Sequence, residues 1–132
     1  MPRQIFVNFA VKDLERSKTF FAGLGFSFNP RFTNDDAACM VIEENSIYAM
    51  LHTEKFFQTF LDGKAIADPR RSTEVMTCLS CASKDEVDRM VARASASGGK
   101  AYRQATDHGF MYHHAFEDPD GHIWEVAYLK GE

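Results

Sequence analysis

The chain has 132 residues, 45% of them hydrophobic and 26% charged, with a formal net charge of −4 from 19 acidic and 15 basic side chains. That length suits one domain with a true core. An acidic balance without basic blocks argues against nucleic acid as a partner, and no run of 18 apolar residues offers a membrane span.

The N-terminal stretch MPRQIFVNFAVKD is interrupted by charge too early to read as a secretory signal. With the odd count of three cysteines, this predicts reduced thiols and a cytoplasmic protein. Gln4 to Val11 reads as a short central strand whose one polar interruption is Asn8. Asp13 is placed to cap a following helix, with Leu14, Ser17, Phe21 and Leu24 at helical spacing and Gly23 and Gly25 to end it. Three strands are predicted next, Phe26 to Thr33, Ala38 to Ile42 and Ile47 to His52, separated by Asn/Asp and Glu/Asn/Ser turns. Residues 53–72 read as a link. Its segment EKFFQTFL carries Phe56, Phe57 and Phe60, which serve either as a lid or chain contact, or as ordinary core.

The same order then repeats. Thr73 to Cys81 alternates as a strand, with Met76, Cys78 and Ser80 on one face. Cys78 and Cys81 have CxxC spacing, but residues three apart on a strand face opposite ways and no second pair completes a zinc site. Ser83 and Glu86 form an S-x-x-E capping box ahead of a helix striped by Val87, Met90, Val91 and Ala94 and stopped at Gly98-Gly99. Strands follow at Lys100 to Thr106, Met111 to Glu117 and Ile123 to Leu129. The last two flank Asp118-Pro119-Asp120-Gly121, a tight-turn sequence. Both faces of the last strand are apolar except at Glu125. A carboxylate taken from water needs a cation, a metal or a proton, so Glu125 is the first candidate for chemistry. The alternative is an edge strand with Glu125 turned to solvent.

Strand, helix, strand, strand, strand thus occurs twice, as repeat units 4–52 and 73–129 of a single domain spanning 1–132. The expected class is α+β: tandem βαβββ modules whose mixed, curved sheets each have one helix-covered face and pair their open faces around a cleft. Ligand-contacting residues then belong in mid-strand.

Phe9-Ala-Val-Lys-Asp-Leu14 leading into Phe20-Phe21-Ala-Gly-Leu-Gly25-Phe26, and Phe116-Glu-Asp-Pro-Asp-Gly-His-Ile-Trp-Glu125, resemble the vicinal oxygen chelate superfamily, also called the glyoxalase, bleomycin resistance and dioxygenase superfamily. The resemblance implies the glyoxalase-like fold over essentially the whole chain. Its activities run from isomerisation and ring cleavage to metal-free antibiotic sequestration. Catalytic members hold a divalent metal with ligands on the first and last strands of each unit. Carried over, those positions fall on Phe6, Met50, Met76 and Glu125. Phe does not ligate, Met suits soft copper(I), and one carboxylate alone does not hold a divalent ion against water.

The resemblance and these departures imply a protein that binds a hydrophobic or aromatic small molecule, without the usual metal or any other cofactor. The cleft would be lined by Phe6, Asn8, Tyr48, Met50, His52, Met76, Cys78 and His114, with Glu125 as acid, base or anchor for a cation. The alternative is a metal-dependent glyoxalase I-like lyase/isomerase or extradiol-type dioxygenase using Glu125 as a ligand, with a divalent ion on a displaced set of His52, His114 and Glu125. His108 and His122 are expected to face water. Superfamily members with two units often build clefts with a second chain, so a homodimer is expected, with no nucleic-acid or membrane partner.

Overall fold

The computed structural model describes residues 3–131. The chain divides into two compact units, the boundary falling between Ala67 and Asp68. That boundary lies within the predicted link.

The first unit runs β1 (Ile5–Val11), α1 (Leu14–Gly23), β2 (Ser27–Phe28), β3 (Ala37–Glu43), β4 (Ile47–Thr53) and α2 (Glu54–Gln58). Its sheet has the order β1-β4-β3-β2, with β1 and β4 parallel and the other pairs antiparallel. β1 therefore ends the sheet and is not central as its composition predicted. An apolar run does not count strand neighbours, and in β1 only Val11 is buried while Ile5 and Phe6 are exposed. Asp13 caps α1 by accepting from the Arg16 N–H at 3.0 Å. The helix sets the fully buried Phe20 and Phe21 into the core with Leu14 and Leu24, each Phe contributing about 2–3 kcal/mol by burial.

The strand predicted over 26–33 is only two residues long. Asn29 accepts from Arg31 N at 3.0 Å and starts a 3-10 turn, Pro30–Phe32. Pro30 has no N–H to give a ladder, and that ends the strand. The link segment forms α2, capped by Thr53.

The second unit runs β5 (Thr77–Ser80), α3 (Lys84–Ala96), β6 (Lys100–Asp107), β7 (Met111–Glu117) and β8 (Ile123–Leu129). Its sheet order, β5-β8-β7-β6, repeats the first, again with one parallel pair. The predicted βαβββ order is present in both units. β5 is shorter than the predicted 73–81. Its parallel partner β8 begins at Ile123 after the hairpin, so pairing starts at Thr77 with Trp124, and residues 73–76 have no partner strand there. In the capping box, Ser83 accepts from Glu86 N at 3.1 Å, while the Glu86 carboxylate reaches back to the N–H of Ala82 instead of Ser83. α3 buries Val87, Val91 and Ala94, and β7 and β8 bury Phe116, Trp124 and Val126.

The DPDG hairpin is held from inside. Asp118, 4% exposed, accepts from Asp120 N and His122 N at 3.0 Å and from the Trp124 indole at 3.1 Å. Gly121 sits at φ +98°, where a Cβ would lie 2.8 Å from Cγ of Arg70. Arg70 in turn donates to the Pro119 carbonyl.

Candidate functional site

In the first unit the register sorts the predicted residues onto one sheet face. Phe6, Tyr48 and Val41 form one rung across β1, β4 and β3; Asn8, Met50 and Cys39 form the next; Ala10, His52 and Ala37 form the third. Val7, Phe9, Ala49, Leu51, Ala38 and Met40 alternate onto the other face. Phe6 stacks on Tyr48 with ring centroids 4.9 Å apart. Phe6, Met50, Cys39 and Phe32 line a groove of about 320 Å³. Phe32 and Cys39 were not anticipated. Cys39 was countable from alternation, whereas Phe32 is carried in by the 3-10 turn. The Cys39 thiol is raised by burial and by Glu44, so it is a small apolar wall and not a nucleophile.

His52, 4% exposed, lies under α2, its ring 5.5 Å from Phe56, 6.0 Å from Phe57 and 5.3 Å from Phe60. Its Nε2 is 2.7 Å from Asn8 Oδ1, and Nδ1 has no partner among the described residues. An amide oxygen only accepts, so Nε2 carries the hydrogen. Burial lowers the His52 pKa and keeps the ring neutral. The Phe residues of the link thus pack, at least in part, around an imidazole.

In the second unit Cys78, Glu125, Ala115 and Tyr102 form one rung. His113 pairs with Ala127, which puts it on the Glu125 face; His114 pairs with Val126 on the other. Glu125 Oε2 is 4.0 Å from His113 Nδ1, both side chains being about one-fifth exposed (24% and 20%). His113 Nε2 is 2.9 Å from His108 Nε2. His114 Nε2 donates to the Arg103 carbonyl at 2.9 Å, so the imidazole beside Glu125 is His113 and not the expected His114. Arg103 is at φ +63° in a bulge of β6, a conformation that only a glycine would have advertised in the sequence. His108 is exposed as expected, whereas His122 is half-buried in the hairpin.

Met76, just outside β5 and 49% exposed, lines a shallow groove with Tyr102, Gln104, His113, Glu125 and the predicted His114, which shares the groove although its ring nitrogen bonds Arg103. This groove measures about 10 Å³, roughly the room one water needs. Cys78 is raised by burial and by Glu125, and Cys81 is pushed up to about 11 by burial and Glu86. Both shifts work against thiolate formation, which weighs against a redox role for the CxxC pair.

The glyoxalase/bleomycin resistance protein/dioxygenase superfamily model matches residues 3–126. The chain belongs to that superfamily. Among solved structures, a hypothetical protein from S. aureus is 27% identical, with a TM-score of 0.79 over 98% of this chain and 95% of its own. A glyoxalase-related enzyme from Fulvimarina pelagi is 25% identical, TM-score 0.79, over 97% and 88%. A fosfomycin resistance protein from Mesorhizobium loti is 16% identical, TM-score 0.69, over 99% and 95%, and shares the fold. No curated protein matches the chain.

The superfamily often uses a metal. At the ligand positions implied by the resemblance, Phe6, Met50 and Met76 offer no hard donor and do not fit such an ion. Among the described residues there is no group of three or more His, Cys, Asp or Glu arranged to hold one. No helix of the described residues is long and apolar enough to cross a membrane.

Proposed function

We propose that this superfamily member binds a hydrophobic or aromatic small molecule in the groove of the first unit, with no metal at the positions of Phe6, Met50 and Met76. The observation that carries this reading is the groove itself. Its volume, about 320 Å³, falls within the usual range for small-molecule sites, and its lining of Phe6, Phe32, Cys39 and Met50 is apolar. Phe6 supplies a flat face for stacking and Met50 an adaptable wall. The test is a titration with 2-ethylnaphthalene, followed by the methionine methyl resonances. The Met50 methyl should shift first, and Met50→Glu should abolish the response. Binding that moves only Met76, or no binding up to the solubility limit, would refute the proposal.

A second reading, proton-transfer chemistry, draws support from the file of Glu125, His113 and His108 in the second unit. A carboxylate facing Nδ1 favours the tautomer that carries its hydrogen there, leaving Nε2 of His113 to accept from His108. Glu125 would then take or give a proton at a carbon acid, with the imidazole pair holding the adjoining proton. Stoichiometric divalent metal in protein purified without a chelating tag would favour the superfamily's metal-dependent chemistry over both readings.

A further inference from the structure

The apolar groove has a polar edge, and one hydrogen bond fixes its orientation. Asn8 shares a rung with Met50 and Cys39, two of the groove's lining residues, and lies two residues along the same strand face from Phe6, a third. Neighbouring strands are about 4.8 Å apart, so the amide stands within one side-chain length of Met50. Asn8 Oδ1 is engaged by His52 Nε2 at 2.7 Å. The His52 ring is held by Phe56, Phe57 and Phe60, so it does not turn freely to release that bond. With Oδ1 turned toward His52, Nδ2 and its two hydrogens are the free end of the amide. Asn8 is an exposed residue, and among the described residues no acceptor is bonded to Nδ2.

We infer that Asn8 Nδ2 is the polar recognition point of this groove, donating to the carbonyl oxygen of an aromatic ketone or aldehyde whose ring lies between Phe6 and Met50. A neutral oxygen suits the position better than a carboxylate. No Lys or Arg lines the groove, and a charged group would lose its water against a single neutral donor. A hydrogen on Nε2 and the amide oxygen turned toward it go together, because an amide oxygen only accepts.

This inference rests on the groove being the binding site, and a matched pair of probes separates the two. 2-Acetylnaphthalene and 2-ethylnaphthalene differ by a carbonyl in place of a methylene. The wild-type protein should bind the ketone about fivefold more tightly, the share of one neutral hydrogen bond. Asn8→Asp keeps an acceptor for His52 but replaces the donating NH2 with oxygen. It should lose or reverse the preference for the ketone, read as the ratio of the two affinities within the variant. ¹⁵N chemical shifts of His52 check that the Nε2–H tautomer survives. Equal wild-type affinity for the two probes, or an Asn8→Asp protein that still prefers the ketone, overturns the inference while leaving the groove intact. Failure of both probes to bind overturns the groove reading and this inference with it.

Discussion

The His52–Asn8 pair is unequal, and the inequality has a sign. His52 is 4% exposed whereas Asn8 is exposed, and the His52 Nδ1 already lacks a partner among the described residues. Replacing His52 with Leu gives up one net hydrogen bond, about 1 kcal/mol, but removes a buried, unpartnered nitrogen that costs about 1–3 kcal/mol. Asn8 Oδ1, at the surface, turns to water. The balance favours His52→Leu by roughly 1 kcal/mol, a rise in Tm of about 4 °C for a chain of this length. Asn8→Ala acts in the opposite direction. It leaves the imidazole with no acceptor for its Nε2–H, at a cost of about 1–3 kcal/mol and a Tm lower by about 4–10 °C. The double variant should sit near His52→Leu alone, so the coupling energy equals most of the Asn8→Ala cost. Thermal and urea unfolding by circular dichroism measure all four proteins. A His52→Leu protein destabilised by more than about 2 kcal/mol, or an Asn8→Ala protein within about 0.5 kcal/mol of wild type, would show that the buried ring is satisfied by something other than Asn8.

Asp118→Asn keeps an oxygen for Asp120 N and His122 N but turns an N–H toward the Trp124 indole N–H, so it should destabilise by about 2–3 kcal/mol in the same unfolding assays, and a neutral result would mean the hairpin does not depend on that acceptor. Asp107 is held well below the usual carboxylate range, first by Lys130 and then by Gly109 N and Lys84. A depressed folded pKa contributes stability that is present above the unfolded value, near ~3.9, and is lost as pH falls through the folded one. The Tm difference between wild type and Asp107→Asn should therefore stand at pH 6 and shrink below about pH 4, and added salt should reduce it at pH 6 because both lysine bridges are open to solvent. A difference independent of pH would rule out the carboxylate charge as its source.

The repeated fold was legible because its signals are local. Asp13 and Ser83 cap where their side chains meet the first turn, the DPDG sequence turns where Pro and Gly permit, and period two groups Phe6 with Asn8 on β1 and Tyr48 with Met50 and His52 on β4, two sets that only the register joins on one face. The site was only half legible. His114 was expected beside Glu125, but counting back from the hairpin through Glu117–Ile123 and Ala115–Glu125 places His113 there. That signal was available in the turn. Phe32 had no such signal, because a 3-10 turn replaced the predicted strand. Nor did Arg103, whose left-handed backbone follows from a bulge between β6 and β7.

Two βαβββ units, their caps and turns, and the superfamily resemblance are written locally in the chain, since each depends on neighbours a few residues away. That His52 is a buried ring among phenylalanines orienting Asn8, and that the larger groove is the apolar one, came from the folded chain alone. These features depend on register and ring packing between strands distant in sequence, and no periodicity within a strand encodes what its neighbour will set against it.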